Sequence, residues 1–335
     1  MNQGIAVAGN MIVDKIQVIR TFPVRQELSN ILSVEDSLGG AACNVGMDLA
    51  RLDPSLPVSI LGCAGADEDG DKVLSAFRQH KNIDCSRIRR RGRNAFTDVL
   101  TEDETRVRTF LTYGGADATF CPEDVDLDTL DCRILHIAYI LLLPGFDAPD
   151  SEYGTRMARF LKSVQDKGIL TSVDVVSETG DRYTRLVPPS LPYTDYFIVN
   201  EIEAGKTVGL SLRDENGALC DKAVFEALRA LKRMGVRRWA IVHTPEGGYG
   251  IDENGLECYV PSLRLPHGYI KGTVGAGDAF CAGALHSAYM GLNMKEALRR
   301  GSIAAACSLS QPGGSEGVIP MEEALKKFSS ADAEA

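Results

Sequence analysis

The middle of the chain constrains the fold most, because short apolar runs alternate there with longer runs whose apolar residues have helical spacing. The predicted strands are at 134–139, 169–175, 196–200 and 239–243, and the predicted helices are at 155–167 and 223–234. Earlier in the chain, a helix is predicted at 71–80 from the apolar spacing of Val73, Leu74 and Phe77. Strands alternating with helices of about 10 to 15 residues are typical of a mainly parallel sheet covered by helices on both faces. No internal repeat or low-complexity linker interrupts this order. We therefore predict one α/β domain over residues 1–330, followed by a C-terminal tail at 331–335.

Two segments outside this order predict a smaller group of strands. Residues 15–38 lack a long helical period and alternate loosely between apolar and polar side chains. Residues 95–100 and 107–112 flank the acidic turn at 102–104, which is a hairpin signal. We predict that strands inserted at about 15–38 and 94–118 form a small β lid over the main body.

Charge and composition argue against several kinds of partner. The formal net charge of −10 disfavours nucleic acid and anionic membranes, which proteins bind largely through Lys and Arg. No apolar run approaches the roughly 18 residues needed to cross a bilayer, and residues 1–4 carry no signal-peptide pattern. The nine Cys include no CxxC pair, which favours reduced structural thiols over disulfides or a zinc site. These features predict a cytoplasmic protein.

The stretch from Lys271 to Phe280 carries the clearest chemical signal. Gly275, Ala276 and Gly277 are small enough for successive backbone N–H groups to converge, where the helix beginning near Asp278 adds the positive end of its dipole. This pattern predicts an anion pocket. Asp278 at its mouth would accept a proton from a hydroxyl that attacks a phosphate. The alternative is a glycine turn followed by an Asp N-cap.

Three residues near the N-terminus predict contacts to a small polar ligand. Asp14 follows a predicted strand at 5–8, and open α/β sheets bind ligands beyond the carboxyl ends of their strands. In the small-residue stretch at 39–52, Gly40 would let a ligand approach the backbone, and Asn44 would offer a hydroxyl both a donor and an acceptor. The alternatives are a solvated turn Asp and a closely packed helix in which Asn44 is a satisfied buried amide.

Asn200 and Glu203 follow the predicted strand at 196–200 and lie one helical turn apart. They could face a metal-bound phosphate together, because Mg²⁺ favours a few carboxylate or water ligands plus phosphate oxygens. The alternative is a capping box with Asn200 as N-cap and Glu203 at N3. His243 and Asp174 also end strands, and the sequence leaves both a ligand contact and a structural role open for them.

The most basic part of the chain is the run Arg87, Arg89, Arg90, Arg91 and Arg93. Most such runs are solvated, which is our interpretation here. The alternative is a pocket for a phosphate already present on the substrate.

These motifs, in this order, resemble those of the PfkB family of carbohydrate kinases over nearly the whole chain. Gly39 and Gly40 with Asn44 are similar to the first family signature, and residues 275–280 with Gly283 are similar to the second. Residues 200–203 resemble the N-x-x-E motif between them. The resemblance implies a ribokinase-like fold, with a mainly parallel central sheet, helices on both faces and a small β lid.

The resemblance also implies residue roles on the acceptor side of the reaction. Asp278 would be the base that takes a proton from a sugar hydroxyl. Asp14, Gly40 and Asn44 match positions that hold sugar hydroxyls. An ordinary Asp is a feeble base for an alcohol, which is tolerable because phosphoryl transfer has a loose transition state and the proton can leave late.

On the nucleotide side, the resemblance implies that the N–H groups of Gly275, Ala276 and Gly277 stabilise charge on the transferring γ-phosphoryl of ATP. Thr273 and Gly248 would also contact ATP. Asn200 and Glu203 would organise the phosphates and Mg²⁺ through waters, with Glu203 on the metal side. Residues 303–314 lie where the family lines the adenine site.

Three departures from the family pattern limit these expectations. Gly272 occupies the position of an Asp that belongs to the cation site of potassium-activated members, so potassium activation is not expected here. His243-Thr244-Pro245 replaces the usual Thr-x-Gly of the nucleotide loop, so ATP contacts do not carry over there. Ile12 stands where ribokinase has an Asn on the sugar, so ribose is not the favoured substrate.

The sequence therefore predicts an ATP-dependent kinase that phosphorylates a hydroxyl of a small sugar or sugar-like molecule. A nucleoside kinase or a sugar-phosphate kinase of the same family is one alternative, and the Arg87 to Arg93 run would favour the second. A non-catalytic sugar or nucleotide sensor is another alternative. Exposed lid strands invite edge pairing, which predicts a homodimer through the lid.

Overall fold

Over the described residues, 3 to 329, the apolar runs form strands and the amphipathic runs form helices in this computed structural model. The strands are β1 (Ile5–Gly9), β2 (Ile12–Ile19), β3 (Ile31–Gly39), β4 (Val58–Ala64), β5 (Ile83–Asp84), β6 (Ile88–Arg90), β7 (Ala95–Glu102), β8 (Arg108–Tyr113), β9 (Ile134–Ile140), β10 (Pro149–Asp150), β11 (Gly154–Thr155), β12 (Leu170–Val175), β13 (Tyr196–Asn200), β14 (Trp239–His243), β15 (Gly247–Ile251) and β16 (Glu257–Pro261). The α-helices are α1 (Ala41–Leu52), α2 (Glu68–Arg78), α3 (Pro144–Asp147), α4 (Arg156–Asp166), α5 (Tyr183–Leu186), α6 (Glu201–Val208), α7 (Asp221–Arg233), α8 (Ala276–Tyr289), α9 (Met294–Ser308) and α10 (Met321–Lys327).

Most of the strands belong to one large, ten-stranded sheet. Its spatial order is β16, β15, β14, β13, β12, β9, β1, β4 and β5, and β6 also pairs with β4. The pairs from β14 to β5 are parallel, whereas β15 and β16 extend one edge as antiparallel strands. This is the mainly parallel sheet that the alternating sequence pattern predicted.

Two apolar cores lie on opposite faces of the large sheet. β1 is buried along its whole length, and its alternate residues enter different cores, with Ile5 and Val7 in one and Ala6 and Ala8 in the other. Helices α1, α8 and α9 pack into the first core, and α4 and α7 pack into the second. Because both faces are covered, the strands carry continuous apolar runs. The predicted α/β class is confirmed.

A separate four-stranded sheet has the order β3, β2, β7, β8, and we call it the small sheet. β2 and β7 are parallel, and the outer strands β3 and β8 are antiparallel to their neighbours. Its strands span 12–39 and 95–113, close to the segments predicted at 15–38 and 94–118.

The small sheet and its loops expose many large apolar side chains. These are Phe22, Val24, Leu28, Ile31, Leu32, Val34, Val107, Phe110, Leu111 and Tyr113. A concentration of exposed apolar surface on one part of a protein marks a site of association or ligand contact. The large sheet, in contrast, buries its apolar residues in the two cores.

One predicted helix boundary is wrong. The helix predicted at 71–80 begins at Glu68, because Asp67 caps it by accepting a hydrogen bond from the Gly70 N–H at 3.1 Å. Acidic residues in the first turn also suit the positive end of the helix dipole. The prediction relied on the apolar spacing, which starts later than the cap.

The remaining sequence expectations have simple outcomes. All nine cysteines lie within the described residues and are free thiols. Between residues 3 and 329, the structure contains no helix with the length and apolar character that a membrane span requires. The predicted tail at 331–335 lies outside the described residues.

Candidate active site

The N-terminus of α8 is built on a glycine that no other residue could replace without strain. Gly275 precedes the helix with a φ of 75°, in the left-handed region, and its carbonyl accepts the Ala279 N–H at 2.8 Å. A Cβ at this position would lie 2.5 Å from the carbonyl oxygen of Gly314. The first amides of a helix lack intrahelical acceptors, so those of Ala276 and Gly277 are available to an anion.

Asp278 lies in the first turn of α8 and is 8% exposed. Its Oδ2 accepts a hydrogen bond from Asn44 Nδ2 at 2.8 Å, and its Oδ1 accepts one from the Tyr139 hydroxyl at 2.6 Å. Burial raises the pKa of Asp278, and these two hydrogen bonds oppose the shift. The two predicted signatures therefore meet directly, since Asn44 and Asp278 are 234 positions apart in the sequence.

Tyr139 is the residue of this site that the sequence analysis missed. It lies near the end of β9, in the centre of the large sheet. Burial, followed by the charge of Asp278, raises the pKa of the Tyr139 hydroxyl, so the group keeps its proton and donates it in the hydrogen bond. A sequence signal for Tyr139 was available. Open α/β sheets bind ligands at the carboxyl ends of their strands, and the polar residues Asp174 and Asn200 were noted because they end strands.

Gly40, Asn44 and Asp14 come together around the start of α1. Gly40 caps the helix with a φ of 89°, and a Cβ there would lie 2.4 Å from the Asn10 carbonyl oxygen. Asn44 is buried, and its Oδ1 has no protein hydrogen-bond partner among the described residues. Asp14 of β2 lies against Gly39, the residue before Gly40, since a Cβ on Gly39 would lie 2.6 Å from Asp14 Oδ2. Burial raises the pKa of Asp14 to about 6.

We call Asp14, Gly40, Asn44, Tyr139 and Asp278 the Asp278 cluster. Its members come from β2, β9, α8, and α1 with its N-cap Gly40. Asn44 also contacts the loop after α9, because a Cβ on Gly314 would lie 3.0 Å from Asn44 Oδ1. The unpaired amide oxygen and the carboxylates make this cluster suited to binding hydroxyl groups.

Asn200 and Glu203 form the capping box that was one of their two predicted interpretations. Asn200 Oδ1 accepts the N–H groups of Ile202 and Glu203, both at 2.9 Å. Glu203 accepts hydrogen bonds from the Asn200 N–H at 2.9 Å, Asn200 Nδ2 at 2.8 Å and Ser177 Oγ at 2.7 Å. These bonds fix the Glu203 carboxylate at the N-terminus of α6.

Glu203 is one of three buried carboxylates, with Asp174 and Asp278, that lie close enough to interact electrostatically. Burial, followed by the charges of Glu203 and Asp278, raises the pKa of Asp174 at the end of β12. Burial also raises the pKa of Glu203, and the charge of Asp278 adds to this shift. Three carboxylates that repel one another favour a nearby cation.

The residues present fit a magnesium ion held mainly by other ligands. Within residues 3–329, no group of three or more His, Cys, Asp or Glu side chains could hold a metal alone. Mg²⁺ usually keeps several waters and takes one or two carboxylates together with substrate phosphates. Glu203, with the neighbouring charge of Asp174, supplies such a sparse set.

A cavity of about 550 Å³, which we call the α8 cavity, opens beside the first turn of α8. Ala276 and Gly277 line it, but no member of the Asp278 cluster does. Its lining residues are Asn200, Glu201, Ile202, His243, Thr244, Pro245, Ser262, Leu263, Leu265, Ile270, Thr273, Ala276, Gly277, Phe280, Ser302, Ala305, Ala306 and Leu309. Polar groups near α8 and a mostly apolar remainder suit a ligand with one anionic end and one flat apolar end.

The structure places the predicted nucleotide contacts unevenly around this cavity. Asn200 and Thr273 line it, together with residues from the 303–314 segment. Gly248 does not line it and lies in β15, opposite His243. A Cβ on Gly248 would lie 3.0 Å from the Phe280 ring and 3.3 Å from Leu298. The absence of a side chain at Gly248 therefore makes room for Phe280, which does line the cavity.

The Arg87 to Arg93 run is mostly committed to the protein itself. Arg87 donates to Thr129, Arg89 to the Asp124 carbonyl, Arg90 to Gly65 and Asp71, and Arg91 to Asp124 and Thr119. Arg93 is exposed and lies over the Phe96 ring, 5.1 Å from its centroid. Four of these five side chains thus have structural partners.

Comparison with known proteins gives a family and a fold. The model of the pfkB family carbohydrate kinases matches residues 2–321. A sugar kinase of Archaeoglobus fulgidus is 26% identical over 275 residues, which are 81% of this chain and 98% of the relative. The ribokinase of Arabidopsis thaliana, solved with ribose and ATP, is 20% identical and has a TM-score of 0.81 over 97% of this chain and 98% of the other. The ribokinase of Thermotoga maritima is 19% identical, with a TM-score of 0.80 over 98% and 99% of the two chains. The chain therefore belongs to the pfkB family of carbohydrate kinases and has the ribokinase-like fold that its motifs predicted.

Proposed function

We propose that this kinase transfers the γ-phosphoryl of ATP to a hydroxyl of a small sugar or sugar-like molecule. The observation that carries the proposal is the position of Asp278 in the first turn of α8. Its carboxylate faces Asn44 and Tyr139, whereas the neighbouring Gly277 faces the α8 cavity. A base and an anion pocket within one helical turn are what in-line phosphoryl transfer requires.

The acceptor hydroxyl binds in the Asp278 cluster. Its oxygen forms a bond to the γ-phosphorus while the bond from that phosphorus to the bridging oxygen of ADP breaks. The hydroxyl proton passes to the Asp278 carboxylate, which Tyr139 and Asn44 hold in place. Burial makes Asp278 a better base than an ordinary Asp, since it raises the pKa of the carboxyl.

The nucleotide binds in the α8 cavity, with its phosphates towards α8. The amides of Gly275, Ala276 and Gly277 stabilise charge on the transferring group, and Asn200 and Thr273 contact the phosphates. The apolar part of the cavity, including Leu263, Ala305 and Leu309, takes the adenine ring. Glu203, with the neighbouring charge of Asp174, would hold Mg²⁺, and the bound ion would supply neutralisation of the phosphate charge.

The small sheet acts as a lid over the Asp278 cluster, since β2 carries Asp14 and runs from the end of β1. Water is itself a hydroxyl compound, so an open site would hydrolyse ATP. Closure excludes water and completes the contacts to the sugar.

The preferred acceptor is an unphosphorylated sugar. The Asp278 cluster offers carboxylates and an unpaired amide oxygen, which repel an anion and suit hydroxyl donors. Four of the five arginines of the Arg87 to Arg93 run are bound by other protein groups, which supports the same choice.

A coupled ADP-release assay tests this function. The panel includes neutral sugars, polyols, nucleosides and sugar phosphates, each with Mg²⁺·ATP. We expect at least one neutral sugar to raise ADP release far above the rate with water alone. Stimulation by sugar phosphates only would contradict the choice of acceptor, and no stimulation by any alcohol would contradict the proposed function.

Turnover does not require potassium. Gly272 has no side chain that could bind a cation. A Cβ at this position would lie 2.6 Å from the Pro312 carbonyl oxygen, so the surrounding backbone leaves no room for a side chain. The assay is repeated with potassium and with sodium at equal ionic strength. A strong rate increase specific to potassium would contradict this expectation.

The chain forms a homodimer through the small sheet. The support is the exposed apolar surface there, which includes Val34, Leu111 and Tyr113. Leu111→Lys places a charge on this surface and should give a monomer in light scattering. The control is Leu256→Lys, because Leu256 is exposed to a similar degree but precedes β16 in the large sheet. A monomeric parent protein would rule the dimer out.

A cytoplasmic location is the last part of the proposal. All nine cysteines are free thiols, and five of them are buried, which suits a reducing compartment. Imaging of a fluorescent fusion in the source cells tests it, and an extracellular signal would contradict it.

A further inference from the structure

His243 stands out among the residues that line the α8 cavity. It is the last residue of β14, and its ring packs against Phe280 with the centroids 5.2 Å apart and the planes at 32°. This contact holds the imidazole against the helix that provides the anion pocket. The sequence left open whether this histidine is structural or contacts a ligand.

The ring lies next to the first turn of α8. A Cβ on Gly277 would be 3.0 Å from His243 Cε1 and 3.5 Å from its Nε2. The Nε2 edge is therefore close to the amides of Ala276 and Gly277, to which the proposed function assigns the phosphates. A phosphate oxygen bound by those amides would be within reach of this nitrogen.

The ring nitrogens of His243 have no protein partner. Among residues 3–329, the ring makes its contact with Phe280 but no hydrogen bond or ion pair. A half-buried imidazole that lines a cavity with both nitrogens unpaired has hydrogen-bonding capacity that only a ligand or water can use.

We propose that His243 is a proton-coupled phosphate ligand: it is neutral in the free protein, takes up a proton when the nucleotide binds, and donates an Nε2–H hydrogen bond to a phosphate oxygen. The inference rests on the proposed function, because it requires nucleotide in the α8 cavity. In this proposal, a titrating side chain binds the phosphate together with the backbone amides. Burial lowers the pKa of free His243 to about 4, and a bound polyanion would raise it.

The charged groups around the ring are already engaged. Glu201 of α6 and Glu246 of the turn between β14 and β15 each accept a hydrogen bond from Arg213 at 2.7 Å. Glu203 is held by Asn200 and Ser177, and Asp278 by Tyr139 and Asn44. The neighbouring strands present Asn200 and Gly248, which do not titrate, and the 262–273 segment and α9 line the cavity with uncharged side chains. None of these groups contributes to the shift of the free His243 pKa, which has burial as its only cause.

The direction of the pH effect follows from the two states. The pKa of His243 is higher with nucleotide than without it, so binding takes up a proton between the two pKa values. The gain in affinity is complete below the free pKa and is lost as pH rises through the bound pKa. Nucleotide affinity should therefore fall with pH in the range where the bound imidazole titrates.

Calorimetric titration with Mg²⁺ and a non-hydrolysable ATP analogue measures the nucleotide affinity. Repeating it in buffers that differ in ionisation enthalpy also measures the proton uptake on binding. His243→Asn keeps a side-chain N–H donor but cannot titrate. The control is His80→Asn, since burial also lowers the pKa of His80 but this residue lies outside the cavity. Comparing variants with the parent cancels the titration of the nucleotide itself.

We expect the parent and His80→Asn to take up roughly half a proton or more per nucleotide at about pH 6, and His243→Asn to take up none. His243→Asn should bind about fivefold more weakly at that pH and converge with the parent at about pH 8. Equal proton uptake in all three proteins, or an equal loss of affinity at both pH values, would overturn the inference.

An NMR titration of labelled imidazole in the parent protein gives a second test that does not depend on any variant. The His243 pKa should move up towards neutrality when the analogue is added, and a pKa unchanged by nucleotide would overturn the inference. If the parent binds nucleotide without proton uptake, only the role of His243 fails. If the parent binds no nucleotide, the proposed function fails with it.

Discussion

The two sides of the first turn of α8 differ in charge. The Asp278 cluster holds the carboxylates of Asp14 and Asp278, and the charge of Asp278 also raises the pKa of the nearby Asp174 and Glu203. The α8 cavity has one acidic lining residue in the described chain, Glu201, which is paired with Arg213 at 2.7 Å. One side thus suits a group that loses a proton, and the other suits a group that carries negative charge. In the proposed reaction, a single helix end therefore serves both partners of the phosphoryl transfer, with the hydroxyl on one side and the phosphate on the other.

Removing the charge on the acidic side should have the largest effect. Asp278→Asn keeps the size of the side chain but cannot accept the hydroxyl proton. We expect kcat/KM to fall by about 10³-fold, since general bases typically contribute roughly 10² to 10⁴. Nucleotide affinity, measured by calorimetry, should change little because Asp278 does not line the cavity. The control is Asp131→Asn, because Asp131 is exposed and lies before the start of β9. It should leave kcat/KM unchanged. Unchanged turnover in Asp278→Asn would rule out its role as base.

A change on the anion-binding side, at the N-terminus of α8, should have the second-largest effect. Gly275→Ala forces a side chain into the left-handed region and against the Gly314 carbonyl, so we expect a loss of about 3 kcal/mol in unfolding free energy and weaker nucleotide binding. Gly291→Ala is a matched control, because Gly291 has a φ of 71° but nothing within 4 Å of its added Cβ. The control should lose only about 1 kcal/mol and bind nucleotide normally. Equal losses in the two variants would show that the packing against Gly314 does not matter.

Asp14 offers a test of the acidic side by pH. Its pKa is about 6 in the folded protein and 3.8 for an ordinary Asp, so its contribution to stability is present below the ordinary value and is lost as pH rises through about 6. Asp14→Asn removes this loss. We therefore expect the difference in unfolding free energy between Asp14→Asn and the parent to favour the variant by about 2 kcal/mol more at about pH 7 than at about pH 4. Chemical denaturation at the two pH values measures this difference. A pH-independent difference would place Asp14 in solvent.

The smallest effect should come from Tyr139→Phe. The hydrogen bond from Tyr139 favours ionised Asp278, so its removal raises the pKa of Asp278 further. The acid limb of the rate profile should move to higher pH, with about a threefold loss of kcat/KM at neutral pH. Tyr196→Phe, at the buried start of β13, is the control and should leave the profile in place. A loss of rate without movement of the acid limb would mean that Tyr139 acts only through packing.

The fold was largely predictable because the two cores impose simple patterns. Strands buried on both faces read as continuous apolar runs, and Ile5 to Ala8 could be identified without any tertiary information. The start of α2 was not found from apolar spacing, because the cap at Asp67 precedes the first inward residue. Boundaries of this kind depend on local polar contacts that hydrophobic spacing does not report.

The site was predictable in its residue types but not in its contacts. Asn44 and Asp278 were singled out separately, and the hydrogen bond between them depends on how α1 and α8 pack. Tyr139 was assigned to a strand on its apolar neighbours, so its hydroxyl was overlooked. The position of Gly248 followed from the family motif, but its packing against Phe280 did not, because the sequence does not give the direction of a side chain across a core.

The contact of Gly314 with both Gly275 and Asn44 has a consequence for any attempt to divide this protein. One glycine near the end of the chain touches the backbone that would hold the nucleotide and the amide that would hold the sugar. Because Gly314 packs against both proposed binding regions, a fragment that stops before residue 314 should lose nucleotide binding and sugar binding together. In the proposed function, binding of both substrates therefore requires the segment around residue 314 to be made and folded.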